Sequence, residues 1–500
     1  LDETNGRTEA REFTLDALVL LYCGVKDILL KKAMNVFEQQ NKRVVIIGGG
    51  ITGLTAAYYL QQEMKDHNLP IEVKLVEATH RLGGKVQTLK RDGYIIEKGP
   101  DSCLSNKDEV ALLADRLGIG DTIIRNCKGT SYVIAGGELY PIPGGSIVGI
   151  PTQIAPFITT SLFSLTGKMR AAADFVLPRS QETKDQSLGK FFRRRMGDEV
   201  VDHLIEPLLT GIFAGDIDQL SLMSTFPQLY ELEQKHRSLI AGIKRNGQSP
   251  LKEEGNFQTF TEGLESLIDA MEAELDPDTV YKSMKVTNIE KDDNNDYTIT
   301  FTNGEELTAD SVIVTTPHHV AQSMFTSYPF LSFLKEMPAT SVATVAMGFS
   351  QEAIKKDIAG TEFLVSRNSD FSLTAGTWTH KKWPHTAPEG KALLRCYLGK
   401  SGDETIVDLS DDEIEQIVLE DLSKIMDIEG RPEFTIVSRY KNSMPQYTVG
   451  HRERIQSMYD QAESSLPGLF ITGSSYEGVS IPDCIQQGKR TVLKVLKYLK

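Results

Sequence analysis

A chain of 500 residues exceeds what one hydrophobic core ordinarily serves, so two or three domains are expected. Its net charge of −15 lacks the basic footprint of a nucleic-acid-binding protein, and any anionic substrate must meet a local basic patch. No apolar run reaches the roughly 18 residues of a membrane span. The cysteines (Cys23, Cys103, Cys127, Cys396, Cys484) form no C-x-x-C pair, which points to free thiols in a reducing cytoplasm and away from a metal site.

The opening residues contain one apolar stretch, Ala17 to Val25, with neither the basic start nor the cleavage site of a signal peptide. The first methionine is Met34, so residues 1–33 are expected to be an upstream extension outside the working fold, and residues 1–40 are assigned to no domain. Deleting them and measuring cofactor content tests that expectation.

From Lys42 the text "KRVVIIGGGITGLTAAYYL" reads as a strand, a glycine turn and a helix running from Ile51 to about His67. The strand is continuously apolar, as a sheet covered on both faces requires. A second strand spans Ile71 to Ala78, passing through Glu77 near its end. Gly48, Gly50 and Gly53 stand at G-x-G-x-x-G spacing, and Glu77 follows at close to the separation of a dinucleotide-binding unit. The glycines allow a tight turn, close approach of a pyrophosphate and close helix–strand packing, while the helix N-terminus offers free N–H groups. Glu77 is placed to accept from ribose hydroxyls.

Further along, turn-rich and then helical text fills about Leu139 to Asp216. Phe191, Val201, Leu204 and Leu208 loosely fit one helical face. Lys244 to Asn256 reads as a surface loop. Strands are expected around Val286, Ile299 and Val312, with a hairpin signal at Asn303-Gly304. An acidic helix begins after Ser410, whose hydroxyl suits an N-cap, and the chain closes with strand, glycine turn and helix.

Arg81, Gly83 and Gly84, in "EATHRLGGK", resemble the R-x-G-G element of the FAD-dependent amine oxidase and protoporphyrinogen oxidase superfamily, and "GSSYEGVSIPDCIQQG" resembles its closing motif. One departure is Gly473-Ser474, where many relatives have Gly-Asp. No second dinucleotide fingerprint is found, so the chain reads as an oxidase using O2. "SLGKFFRRRMGDEVVDHLIEPLLTGIFAGD" and "SMPQYTVGHRERI" are more specific. They resemble the oxygen-dependent protoporphyrinogen oxidase family, and most of all the Gram-positive type that makes coproporphyrin III.

The resemblance implies a mixed α/β fold in which a Rossmann-like FAD-binding domain (41–115, 255–330, 440–500) is interrupted by a substrate-binding β-sheet domain (116–138, 216–254, 331–439) and a helical domain (139–215). It implies six-electron oxidation of a porphyrinogen with three O2, giving three H2O2, in the cytoplasm. The alternatives are another FAD oxidase, such as an amine oxidase or carotenoid desaturase, or a binding protein like the prenylation escort proteins. FAD is expected to be non-covalent, although Cys484 lies in the closing motif. The carried-over cofactor residues are Gly48, Gly49, Gly50, Ile51, Thr52 and Gly53 in the turn, then Glu77, Ala78 and Lys85. Gly99, Pro100, Asp101 and Ser102 form a loop near the ribityl chain and ring. Val286 lies at the adenine, Tyr440 forms an aromatic wall, and Val479, Ser480 and Ile481 open the last helix.

No strong base is required, because flanking pyrroles activate the carbon that is oxidised. Lys107 is the candidate propionate anchor, whereas Arg193, Arg194 and Arg195 read as a solvated helix face. Ser131 stands where membrane-bound relatives carry an arginine beside the equivalent of Tyr132. His318-His319 reads as a structural strand-end pair. Peripheral membrane contact through Phe157, Leu162, Phe163, Leu165 and Met169 stays open, as does transient contact with other heme-pathway enzymes.

Overall fold

The computed structural model describes residues 41–181, 184–245 and 255–500. The expectation for residues 1–33 lies outside the described residues, as does most of the surface loop expected over 244–256. At the start of that loop, Lys244 and Arg245 instead end the helix Leu239–Arg245.

The strand Lys42–Ile47 is the centre of a five-stranded parallel sheet. Ile71–Val76 and then Val280–Tyr281 lie on one side, and Ser311–Val314 and then Leu469–Ile471 on the other. The second strand therefore ends at Val76, short of the expected Ala78. Successive side chains of the central strand feed opposite cores. Val44 and Ile46 pack with the helices Ile51–His67, Glu265–Ala273 and Ile481–Leu499. Val45 and Ile47 pack with the antiparallel meander Val286–Lys291, Tyr297–Phe301, Glu306–Ala309. Both faces are covered, which is why the strand is apolar throughout. Gly304, at φ +83°, makes the hairpin turn expected at Asn303-Gly304.

A second, seven-stranded sheet runs in the order Phe434–Pro445, Ala339–Ser350, Lys391–Leu398, Leu373–Trp378, Gly360–Val365, Thr130–Ala135, Glu138–Pro141. Its outermost strands run through residues 139 and 440. The helix Asp411–Ser423 covers one face with Ile414, Val418 and Leu422, and Ser410 and Glu413 cap it reciprocally.

The region from Ile154 to Arg245 is helical and has its own core. Phe191, Val201 and Leu204 are buried there, but not on one continuous helix. The helix Leu188–Met196 stops at Gly197, whose φ of +85° favours glycine. A new helical run begins at Asp198 and widens into a π-turn over Val201–Ile205. The arginine triplet is not a solvated face. Arg195 is fully buried against Asp174 and Glu233, Arg194 pairs with Glu233, and Arg193 with Asp202 at 2.6 Å. Helical periodicity alone could not show that carboxylates from two other segments would meet it. Phe157, Leu162 and Phe163 are buried, whereas Leu165 and Met169 are exposed. Among the described residues, no helix is long and apolar enough to cross a membrane.

Candidate functional site

The chain passes from the central strand to Ile71–Val76 on one side and returns later to Ser311–Val314 on the other, so the strand order changes direction there. In such sheets the ligand crevice lies outside the carboxyl ends of the strands at that point. The glycine turn follows the carboxyl end of the central strand. Gly48 has φ +104°, and a Cβ on Gly53 would collide with the Gly48 carbonyl oxygen, so helix and turn touch backbone to backbone. A Cβ on Gly50 would meet nothing within 4 Å among the described residues. Gly50 is also the N-cap of the helix Ile51–His67 and provides no side-chain acceptor. The first N–H groups of that helix therefore have no side-chain cap and stand beside open space, an arrangement that fits a pyrophosphate.

Glu77 sits beside this turn. One carboxylate oxygen accepts from the Gly49 N–H at 2.7 Å, and the other from the Thr79 N–H and hydroxyl, each at 2.8 Å. The carboxylate therefore buttresses the turn while remaining partly exposed. Ala78 follows it, and the segment leading to Val286 runs alongside, with Met284 N–H donating to the Glu77 carbonyl. The second glycine pair closes the cradle. Gly83 N–H donates to Gly49 O at 2.8 Å, and a Cβ on Gly84 would stand 3.3 Å from Gly50 Cα. Arg81 holds this loop through the carbonyls of Leu82, Gly84 and Val86.

Lys85 crosses from the glycine pair and donates to the Ser443 carbonyl. Burial lowers the pKa of its ammonium group. Gly99 packs directly on the Lys85 carbonyl, and a Cβ there would lie 3.1 Å from the Tyr440 hydroxyl. Tyr440 is thus placed beside the loop of Gly99, Pro100, Asp101 and Ser102. That loop is held from the seven-stranded sheet. Arg395 donates to the Gly99 carbonyl, and the Thr344 hydroxyl to the Lys98 carbonyl at 2.6 Å. Asp101 accepts from the Ser102 hydroxyl at 2.8 Å and faces Arg395 and Lys382 at 3.8 and 4.0 Å. Burial works to raise the Asp101 carboxyl, but Lys382 and Arg395 outweigh it and hold it below the usual carboxylate range. Asp101 is therefore a fixed anion and a poor proton acceptor.

Lys107 is near this loop, but its ammonium donates to Asp483 in the first turn of the last helix. Ser480 caps that helix, accepting from the Asp483 N–H, and Ile481 begins it. Val479 packs against the helical region's core. His318 starts the helix His318–Met324 and is bound by the Met337 carbonyl and the Ser475 hydroxyl. Ser131 donates to Glu362, which also pairs with Lys382.

Arg395, Lys382, Thr344 and the buried Glu97 hold or adjoin the Gly99–Ser102 loop, and local text does not mark them. They lie on strands or short helices whose pattern encodes only burial. Their nearness to Gly99 depends on how the seven-stranded sheet packs against the hairpin Thr88–Arg91, Tyr94–Glu97 that leads into the loop.

A family model, flavin containing amine oxidoreductase, matches residues 51–496. The chain belongs to this family. It is 56% identical over 92% of its length, and 98% of the relative's, to a protein of Bacillus subtilis (strain 168) named coproporphyrinogen III oxidase. A Staphylococcus aureus protein of the same name is 45% identical, covering 92% of this chain and all of that one. A mitochondrial protoporphyrinogen oxidase of Nicotiana tabacum is 28% identical over 92% of this chain and 95% of its own. Within the family the chain therefore stands in the coproporphyrinogen III oxidase branch. A solved structure from Exiguobacterium sp. 255-15 superposes with a TM-score of 0.82 at 36% identity, covering 91% of this chain and 98% of that one. A reduced UDP-galactopyranose mutase, at 16% identity and TM-score 0.68, shares the fold. The chain is a flavin-dependent oxidoreductase.

Proposed function

We propose that this protein is a cytoplasmic oxidase converting coproporphyrinogen III to coproporphyrin III, and protoporphyrinogen IX to protoporphyrin IX, with non-covalent FAD. The balance is one porphyrinogen and three O2 to one porphyrin and three H2O2. The carrying observation is the 56% identity to a coproporphyrinogen III oxidase across nearly the whole of both chains. Bound FAD supplies two-electron acceptance and reoxidation by O2, used three times for each substrate molecule.

The protein's part is binding and positioning. Gly48 to Gly53 would hold the pyrophosphate, Glu77 the ribose, and the segment at Val286 the adenine. The loop Gly99–Ser102 and Tyr440 would line the ribityl chain and ring. Val479, Ser480 and Ile481 would bring the last helix's N-terminus to the ring's pyrimidine edge, where its dipole favours negative charge. Lys85, tied to the Ser443 carbonyl, would brace the glycine pair against the strand that carries Tyr440. Cys484 is buried, and burial raises its thiol pKa to about 11, which favours an inert thiol over a flavin linkage. For Lys107 to hold a propionate, the incoming carboxylate would have to share its ammonium with Asp483.

The test is aerobic turnover of coproporphyrinogen III, protoporphyrinogen IX and a primary amine, followed by porphyrin fluorescence and H2O2. The two porphyrinogens should release H2O2 and the amine should not. Denaturation should free FAD into the supernatant. Amine turnover alone would establish the other oxidase reading.

A further inference from the structure

The segment from Gly473 to Ser480 joins the last parallel strand to the last helix. It is pinned from two sides. From within, Gln487 accepts from the Gly473 N–H at 3.0 Å and donates to the Gly478 carbonyl at 3.1 Å. From outside, the Tyr447 hydroxyl donates to the Ser474 carbonyl at 2.7 Å and accepts from the Gly478 N–H at 2.8 Å. Gly478 has φ +134°, and a Cβ there would stand 2.8 Å from Asp483 Cβ, so the loop has little room to rearrange. The Tyr447 ring stacks on His451 with centroids 4.2 Å apart, and His451 bonds the Tyr476 carbonyl at 2.9 Å. Both side chains are buried.

Tyr447 is itself anchored to the helical region. Its carbonyl accepts from Ser221 N–H at 2.7 Å, and Val449 N–H donates to the Gln219 carbonyl. Asp185 bonds the Ser221 hydroxyl, Met223 N–H and Gly450 N–H. Tyr447 thus links the helical region, through its backbone, to the loop that sets the last helix's N-terminus, through its hydroxyl.

We propose that Tyr447 is a positioning residue. Its hydroxyl fixes the Ser474–Gly478 loop so that the N–H groups at Ser480 and Ile481 meet the flavin's pyrimidine edge. Negative charge at that edge, and with it the reduced state of the cofactor, is thereby favoured. This rests on the proposed FAD orientation. Both hydroxyl bonds are made to backbone, so losing them frees the loop without removing a charge or a packing surface. Gly473, at the start of the loop, lies beside Thr52 of the glycine turn, whereas Tyr447 bonds the loop farther along, at Ser474 and Gly478, so cofactor electronics should change more than cofactor affinity.

Tyr447→Phe keeps the ring and its stacking on His451. The holoenzyme should show a lower midpoint potential, by about 30 mV for a tenfold loss in the two-electron equilibrium. Its FAD dissociation constant should stay within about twofold, and kcat should fall with KM nearly unchanged. Tyr476→Phe is the control: that hydroxyl is buried without a hydrogen-bond partner among the described residues, and its loss should leave the potential at the wild-type value. If Tyr447→Phe does not accumulate as holoenzyme, Gln487→Met removes the other pin and should lower the potential likewise. An unchanged potential in the flavin-loaded Tyr447→Phe protein overturns the proposal, as does an equal shift in Tyr476→Phe. Failure of the wild type to bind FAD would instead overturn the functional reading on which it rests.

Discussion

Glu77 and Glu97 both stand near the crevice, in opposite electrostatic settings. Glu77 is partly exposed and bonded by Gly49 and Thr79. Glu77→Ala removes charge-assisted bonds worth about 1.5–3 kcal/mol each, so FAD affinity should fall by at least about tenfold in equilibrium dialysis. Glu97 is nearly buried, and burial raises its carboxyl to about 7 despite bonds from Leu264 N–H and the Thr88 hydroxyl. It lines a small cavity of about 20 Å³ together with Asp101, Trp383 and Arg395, enough for one water. Because its folded pKa is raised, the folded state holds a proton that the unfolded state has lost between the ordinary carboxylate range and pH 7. Its stabilising effect is complete below that window and disappears as pH rises through it, about 3 kcal/mol in all. Glu97→Gln should therefore gain stability relative to wild type on going from pH 5 to pH 8 in chemical denaturation. A difference that does not vary with pH would contradict the buried-acid assignment.

At the scale of elements, strongly periodic or punctuated segments are legible in the sequence. The strand, turn and helix from Lys42 to His67, the capped helix after Ser410 and the Asn303-Gly304 hairpin all have local signals that tertiary packing reinforces. The arginine triplet is not legible. Its environment is made by Asp174 and Glu233, which lie on separate segments, and no local pattern carries that pairing. Arg195→Met would leave the buried Asp174 without its cation and Glu233 with Arg194 alone, and should cost about 3–5 kcal/mol, read as a marked fall in Tm. Arg193→Met, at a partly exposed pair, should cost much less. The candidate site divides in the same way. The glycine turn and Glu77 lie within one βαβ unit and share a spacing. Arg395 and Lys382 reach Gly99 and Asp101 only because the hairpin ending at Glu97 packs on the seven-stranded sheet. Gly53→Ala should abolish flavin retention without unfolding the seven-stranded sheet, since the atoms nearest its Cβ belong to Gly48 and Thr315. Absorbance of the purified variant and its residual circular dichroism check both parts.

Across the whole molecule, the parallel sheet carries the glycine turn, the large second sheet holds the Gly99–Ser102 loop, and the helical region reaches the closing loop through Tyr447 and Val479. These meet around one place, which the proposed function gives to a flavin and a porphyrinogen. Anaerobic mixing of the holoenzyme, in excess, with limiting coproporphyrinogen III while flavin absorbance is followed probes that place most directly. Bleaching of about three flavins for each coproporphyrin formed is expected, since six electrons leave the substrate in pairs. Flavin that stays oxidised with coproporphyrinogen III and protoporphyrinogen IX, yet bleaches with a primary amine, would contradict the assignment.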